Sequence, residues 1–258
     1  MNYKLLFKFA MLAGEIMHRN GAETYRVEDT INRILNTSNF SVIESFVIPT
    51  GIFATLDDPS ISMITYVKRV NKRTIDLSKI ELVNAISRKY CSNQISLEDA
   101  YNELVEVQKK PSYTNCVNII AIGLAAGFFA IVLSGNIYDF IVSTVIGCIL
   151  SVIQIFFNKF NISKFFYDIF GGSVIALIAI IFTKLIPVGS NIDIIIIGAI
   201  MPLVPGVSFT NAIRDTIEGN LLAGISRAVD AFIVAASIAT GVGVMLKLFY
   251  VIYGGQAL

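Results

Sequence analysis

After residue 111 the chain nearly stops carrying charge while its apolar residues continue in long blocks, and this change decides what it can fold into. Of 20 Lys+Arg and 19 Asp+Glu, 14 and 13 fall in residues 1–111, leaving six of each for the rest. A stretch that sparse in charge cannot cover a water-soluble core. Four apolar blocks, about 115–134, 137–157, 167–186 and 191–209, are each near the twenty residues a helix needs to cross hydrocarbon. A fifth, about 220–250, is longer and has room to tilt or break. None alternates in the manner of a barrel strand, and open sheets cannot span a bilayer. The expectation is an α-helical integral membrane protein: a membrane domain at 111–258 with about five transmembrane helices, preceded by a polar domain at 1–110. A mean hydropathy of +0.70 agrees. The net charge of +1 gives no electrostatic case for nucleic acid.

Lysine and arginine placement orients such a bundle. Lys109 and Lys110 precede the first block, Lys159 and Lys164 lie between the second and third, and Arg214 lies between the fourth and fifth. The opposite loops, around 134–136 and 188–193, hold neither residue type, although Lys184 is near the second. The polar domain is expected in the cytosol and the C-terminus outside. Cys91, Cys116 and Cys148 have no disulfide-like or metal-like spacing and read as free thiols in a reducing compartment. Lys4, Lys8, Glu15 and His18 interrupt the N-terminal apolar run, so it is not a signal peptide.

Within the polar domain, Leu5, Phe9, Leu12 and Ile16 predict an amphipathic helix over 3–19, with Lys4, Lys8, Glu15 and Arg19 largely on its other face. Asn20-Gly21 ends it. Asn20 with Glu23 then suggests a capping box for a second helix ending near Thr37, which turns Val27, Ile31, Ile34 and Leu35 inward. Residues 41–69 hold three β-branched, aromatic-rich segments separated by Pro49-Thr50-Gly51 and Asp57-Asp58-Pro59, predicting a small antiparallel sheet. Helices return at about 76–92, capped by Asp76, and 96–109, capped by Ser96 with Asp99. The order makes a cytosolic α+β module.

The stretch MPLVPGVSFTNAIRDTIEGN, residues 201–220, stands out. Pro202 and Pro205 remove backbone donors, so a helix must kink or open there. Polar residues follow at once: Ser208, Thr210, Asn211, Arg214, Asp215 and Glu218. Broken helices with polar side chains beside them form the midplane sites of many transporters. Pro205, Gly206, Ser208, Thr210, Asn211, Arg214 and Asp215 are therefore candidate substrate-binding residues; a solvated loop between two helices uses the same residues equally well. Arg227 and Asp230, early in the fifth block, are candidates for an ion or proton pathway or for a structural ion pair. Gly123 and Gly127 form a small-residue face that packs inside the chain or against another membrane subunit.

Two sets of residues resemble one family. GAETYRVEDTINRI at 21–34, IPTGIF at 48–53 and VKRVNKRTIDLSKI at 67–80 form the first; PLVPGVSFTNAIRDTIEGNLLAGISRAVDA at 202–231 is the second. Both resemble the threonine/serine exporter family, in the family's order along nearly the whole chain. In the N-terminal signature the matching residues are Glu23, Arg26, Glu28 and Asp29; after the sheet they are Arg69, Arg73 and Asp76. In the membrane signature they are Pro205, Gly206, Thr210, Asn211, Arg214 and Asp215. Full-length members carry a second hydrophobic unit after the first, and this sequence stops at Leu258. The resemblance thus implies the larger half of a split exporter, completed by a short, separate membrane partner. Split members are associated with dicarboxylates such as succinate, and fused ones with threonine and serine. A multi-pass protein of a bacterial inner membrane is implied, with a small-molecule substrate; a second copy of the chain is a further partner open to it.

An enzyme reading competes. Glu23, Glu28 and Asp29 with Arg26 could do acid–base work, but the same residues make ordinary i,i+3 helix pairs. There is no Ser-His-Asp set, no zinc spacing and no phosphate-binding glycine loop. His18 reads as a helix-end residue. No metal or cofactor is expected, and with no ATP-binding motif, transport would be secondary, with Asp230 the candidate proton carrier. The alternatives are a membrane-anchored hydrolase and a regulatory or assembly subunit.

Overall fold

The computed structural model describes residues 2–70, 74–111, 113–186 and 188–252. The chain forms two compact units, Met1–Ser112 with Gly206–Val229, and Tyr113–Pro205 with Asp230–Leu258. Residues 206–229, which the sequence reading puts with the membrane blocks, thus fold with the N-terminal region.

The first unit begins with α1, Tyr3–Arg19, and α2, Thr24–Asn36. Strands β1 (Val42–Ile48), β2 (Gly51–Asp57) and β3 (Ile64–Arg69) follow, then α3 (Leu77–Cys91) and α4 (Leu97–Lys109). The strands form one antiparallel sheet in the order β1-β2-β3. The two-residue connection Pro49-Thr50 sets its first register, pairing Ile48 with Gly51 and Phe46 with Phe53. Ile52, Ala54 and Leu56 of β2 alternate into the core, and Phe53 points outward. Asp76 and Ser96 cap α3 and α4, accepting from the Lys79 and Asp99 amides.

Two details differ from the sequence reading. α1 packs on α2, α3, α4 and β2, so it is buried on most of its circumference, including Leu6, Phe7, Ala10, Ala13 and Met17. Glu15 is buried with it rather than solvated, because Arg19 (2.8 Å) and Lys68 (3.0 Å) each take one of its oxygens. The predicted capping box also fails. Asn20 closes α1 instead of opening α2, and Glu23 is the N-cap of α2 without a side-chain cap bond. The reason is the turn. Ala22 N–H returns to the Met17 carbonyl at 3.1 Å and Gly21 adopts φ +93, a Schellman ending that assigns Asn20 to the first helix. His18 is buried, with Nε2 3.1 Å from the Pro49 carbonyl oxygen.

The second unit holds α5 (Asn115–Val132), α6 (Ile137–Lys159), α7 (Lys164–Ile180) and α8 (Ile192–Ile200). A π-helical turn, Ile181–Leu185, extends α7. α9, Gly206–Ile217, and the start of α10, Leu221–Ile252, fall in the first unit, and the rest of α10 in the second. Among the described residues four helices are long and apolar enough to cross a membrane: Asn115–Val132, Ile137–Lys159, Lys164–Leu185 and Leu221–Ile252. At most 44% of any of these spans is buried within the chain, which leaves broad apolar faces for lipid. The predicted span at 191–209 is not one helix. α8 has nine residues, about 13 Å, against a hydrocarbon core of about 30 Å. Pro202 and Pro205 bring no donors to the turn at 201–205 that separates α8 from α9.

Gly123 and Gly127 turn toward α6 inside the chain. A Cβ at Gly123 would meet Cys148 Sγ and the Thr144 carbonyl oxygen, and one at Gly147 would stand 2.9 Å from Gly123 Cα. α5 and α6 therefore pack backbone to backbone.

Candidate functional site

The turn between α1 and α2 exposes two carbonyls and the first amide of α2, and the second signature stretch supplies partners for all three. Asn211 donates Nδ2 to the Gly21 carbonyl at 2.9 Å. Arg227 donates Nη2 to the Ala22 carbonyl at 3.0 Å. Asp215 accepts from Thr24 N at 3.0 Å and from Thr24 Oγ1 at 3.1 Å. An aspartate 191 residues away in sequence is thus the cap of α2. Its charge lies where the helix dipole favours an anion. The Arg227 guanidinium nitrogen Nε lies 3.0 Å from Asp215 Oδ2, and both side chains are almost fully buried, at 6% and 0% exposure.

An ion cluster at the same turn is more open. Glu23 takes Arg214 Nη1 at 2.6 Å on one oxygen and Arg26 Nη1 at 3.3 Å on the other. The Glu23 side chain is 9% exposed, while Arg214 and Arg26 are 55% and 40% exposed. Burial pushes the Glu23 carboxyl up, but its own backbone amide and the two guanidiniums outweigh this and hold it below the usual carboxylate range. Glu28 behaves in the opposite way. Burial and the nearby Asp215 charge raise it, against a hydrogen bond from Val47 N at 2.7 Å.

The structure therefore joins Glu23 and Arg26 of the first signature to Asn211, Arg214, Asp215 and Arg227 of the second. Other candidates stay apart. Asp29 holds Arg33 Nε through both oxygens at 2.8 and 2.7 Å. Arg69 ends β3 opposite Gly51, Asp76 caps α3, and Arg73 lies outside the described residues. Pro205 sits in the 201–205 turn and Gly206 opens α9. Ser208 is half-buried and Thr210 exposed, and neither side chain forms a hydrogen bond among the described residues. Asp230 is exposed on α10 without an ion pair there. Thr24, inside the first signature, belongs to the site and escaped the sequence reading. An i,i+3 pattern around Glu23 points to local pairing, and nothing local announces an acceptor 191 residues away.

An open cleft of about 380 Å³ between α2 and α3 tests the enzyme reading; Arg26, Thr30, Arg33, Arg88 and Cys91 line part of it. Its serines are tied to backbone carbonyls, Ser87 Oγ to Asn84 at 3.0 Å and Ser92 Oγ to Arg88 at 2.8 Å. Desolvation pushes the Cys91 thiol up despite the pull of Arg33, which opposes thiolate formation.

The family model described as "Putative threonine/serine exporter" matches residues 8–249. A curated relative from Mycobacterium tuberculosis, named "Probable threonine/serine exporter", is 22% identical over 230 residues. The match covers 88% of this chain and 40% of the relative, so the chain spans well under half of that protein's length. No solved structure matches.

Proposed function

The chain belongs to the threonine/serine exporter family, and from that premise we propose that it is a membrane subunit of a secondary exporter of small polar metabolites carrying a carboxylate. Candidate substrates are threonine, serine and dicarboxylates such as succinate. A separate small membrane partner completes the translocation path in this reading. The charge bias of the lysines at 109, 110, 159 and 164 with Arg214 favours a cytosolic first unit; the broken segment from α8 through the 201–205 turn then returns the chain to that side, and α10 leads the C-terminus outside. An exporter collects its substrate on that side.

One observation carries the assignment of a site. Two exposed guanidiniums, Arg214 and Arg26, share a single carboxylate, Glu23. Arg214 spends one nitrogen on Glu23 and keeps other donors for a second carboxylate, which a guanidinium recognises in paired fashion. Asp215, Arg227 and Asn211 are already committed to one another or to the α1–α2 turn. They position α9, and Arg214 is the group left to meet the substrate. The same clamp favours an assembly role for the first unit alongside transport, because the unit holds α9 through three side chains.

The test is export of labelled threonine, serine and succinate from cells carrying the chain and its partner, with Arg214→Gln against wild type. Reduced export at unchanged protein level is the expected result. Unchanged export would remove Arg214 from the site.

A further inference from the structure

Among its described residues the second unit buries two carboxyl side chains, and they are treated differently. Asp139, at 1% exposure, is fully occupied: Oδ1 accepts from Ser190 N (2.8 Å) and Asn191 N (3.1 Å), and Oδ2 from Asn136 N (3.1 Å). Asp168, also at 1%, has neither oxygen in a hydrogen bond among the described residues. It lies one turn into α7, inside the apolar span Lys164–Leu185. The next turn of α7 carries Gly171 and Gly172. Gly171 faces Leu150 and Leu203, and Gly172 lies against α10, where a Cβ would stand 2.5 Å from the Ile238 carbonyl oxygen. The adjacent Tyr167 hydroxyl, its titratable neighbour, donates to the Leu150 carbonyl at 3.4 Å rather than to Asp168. Lys164, one turn earlier, is the charged group that reaches it. The charged residues of α6, α8 and this unit's part of α10 are Asp139 and Lys159, Asp193, and Asp230 and Lys247, and none pairs with it.

A carboxylate with both oxygens dry is the least stable form such a group can take. The neutral acid is the form this packing accommodates. Asp230, exposed on α10, lacks that enclosure.

Resting on the exporter reading, we propose that Asp168 is the proton-binding group of the membrane unit. Its carboxylate takes a proton where water reaches it from outside, is buried as the acid in the conformation described here, and releases the proton to the cytosol. Each cycle moves one proton inward as substrate moves outward.

Two measurements test it on the full chain with its partner. Infrared difference spectra of the purified protein at neutral pH are expected to show a protonated-carboxyl C=O band that Asp168→Asn removes; if the amide variant does not fold, Asp168→Glu is expected to shift the band. Absence of the band, or its survival in these variants, overturns the proposal. In reconstituted vesicles, accumulation of labelled threonine, serine or succinate against a pH gradient is expected in wild type. Asp168→Asn should lose it while keeping exchange at equal substrate on both sides. Gradient-driven accumulation by Asp168→Asn overturns the proposal, and accumulation driven by sodium instead replaces the proton with a metal cation. A band with no transport of any probe leaves Asp168 as a proton site and defeats the exporter reading alone.

Discussion

Replacing Asp215 by asparagine keeps the volume and one acceptor but removes the charge that faces Arg227. In the native chain that carboxylate meets Thr24 N, Thr24 Oγ1 and Arg227 Nε at 3.0, 3.1 and 3.0 Å. With the Arg227 side chain 6% exposed, the variant leaves a buried guanidinium that keeps its bond to the Ala22 carbonyl but loses the negative charge facing Nε. Breaking a buried pair from one side costs about 3–5 kcal/mol. For a chain of this length each kcal/mol moves Tm by about 2–4 °C, so the expected drop is roughly 6–20 °C. Circular dichroism of the detergent-solubilised full chain reads it, and hydrogen exchange over residues 22–27 localises it to the start of α2. The double variant Asp215→Leu with Arg227→Met removes both charges and should regain most of the loss, short of the cap on Thr24 N, about 1 kcal/mol. A single variant within about 2 °C of wild type, less than 1 kcal/mol on that scale, would refute the claim that this pair holds α9. So would a double variant no more stable than the single.

Glu28 should show the opposite sign. Its native carboxyl is raised above 4.5 by burial and Asp215, so folding disfavours its charged form and stability falls as pH rises through the window from 4.5 to the raised value. Glu28→Gln keeps an acceptor for Val47 N, so it should raise Tm at pH 7, with the gain vanishing below the ordinary carboxylate range; a lower Tm at pH 7 would contradict this. In the second unit, Gly147→Leu should prevent α5 and α6 from closing, because its Cβ would stand 2.8 Å from the Ile122 carbonyl oxygen and 2.9 Å from Gly123 Cα. The readout is loss of folded protein in the membrane fraction, with Ile149→Leu, at an exposed position of the same helix, as the control expected to be silent.

What the sequence made legible was local. Alternation in GIFATL and the Pro49-Thr50 connection predicted the hairpin, and the prolines at 202 and 205 predicted the break after α8. The break was readable because proline acts on its own helix. The cap of α2 was unreadable because Thr24 and Asp215 are far apart, and a nearby Asn20–Glu23 spacing offered a cheaper local answer. Glu15 misled for a related reason. Helical periodicity assigns one solvent face, and α1 has little, being enclosed by three helices and β2. Asp168 went unremarked because Lys164, one turn before it, makes the segment look like a loop flank, and burial of a side chain by two other helices has no one-dimensional trace.

The two ion clusters at the α1–α2 turn differ in what they can be for. The Asp215–Arg227 pair is dry, so its loss is a stability event, and any fall in export on breaking it says nothing about substrate. The Arg214–Glu23–Arg26 cluster is wet on its arginine side, and ion pairs exposed to that degree contribute about 0–1 kcal/mol. Stability therefore gives little reason for two guanidiniums to converge on one carboxylate. The cluster's own balance is one net positive charge exposed to water on its arginine side, which under the proposed cytosolic placement is where a carboxylate would load. Arg214→Gln leaves Glu23 with Arg26 as its partner, so the variant should melt within about 1 kcal/mol of wild type while export falls. Loss of export together with a drop in Tm as large as that of Asp215→Asn would make Arg214 a second structural tie and return the substrate site to the unpaired Ser208 and Thr210.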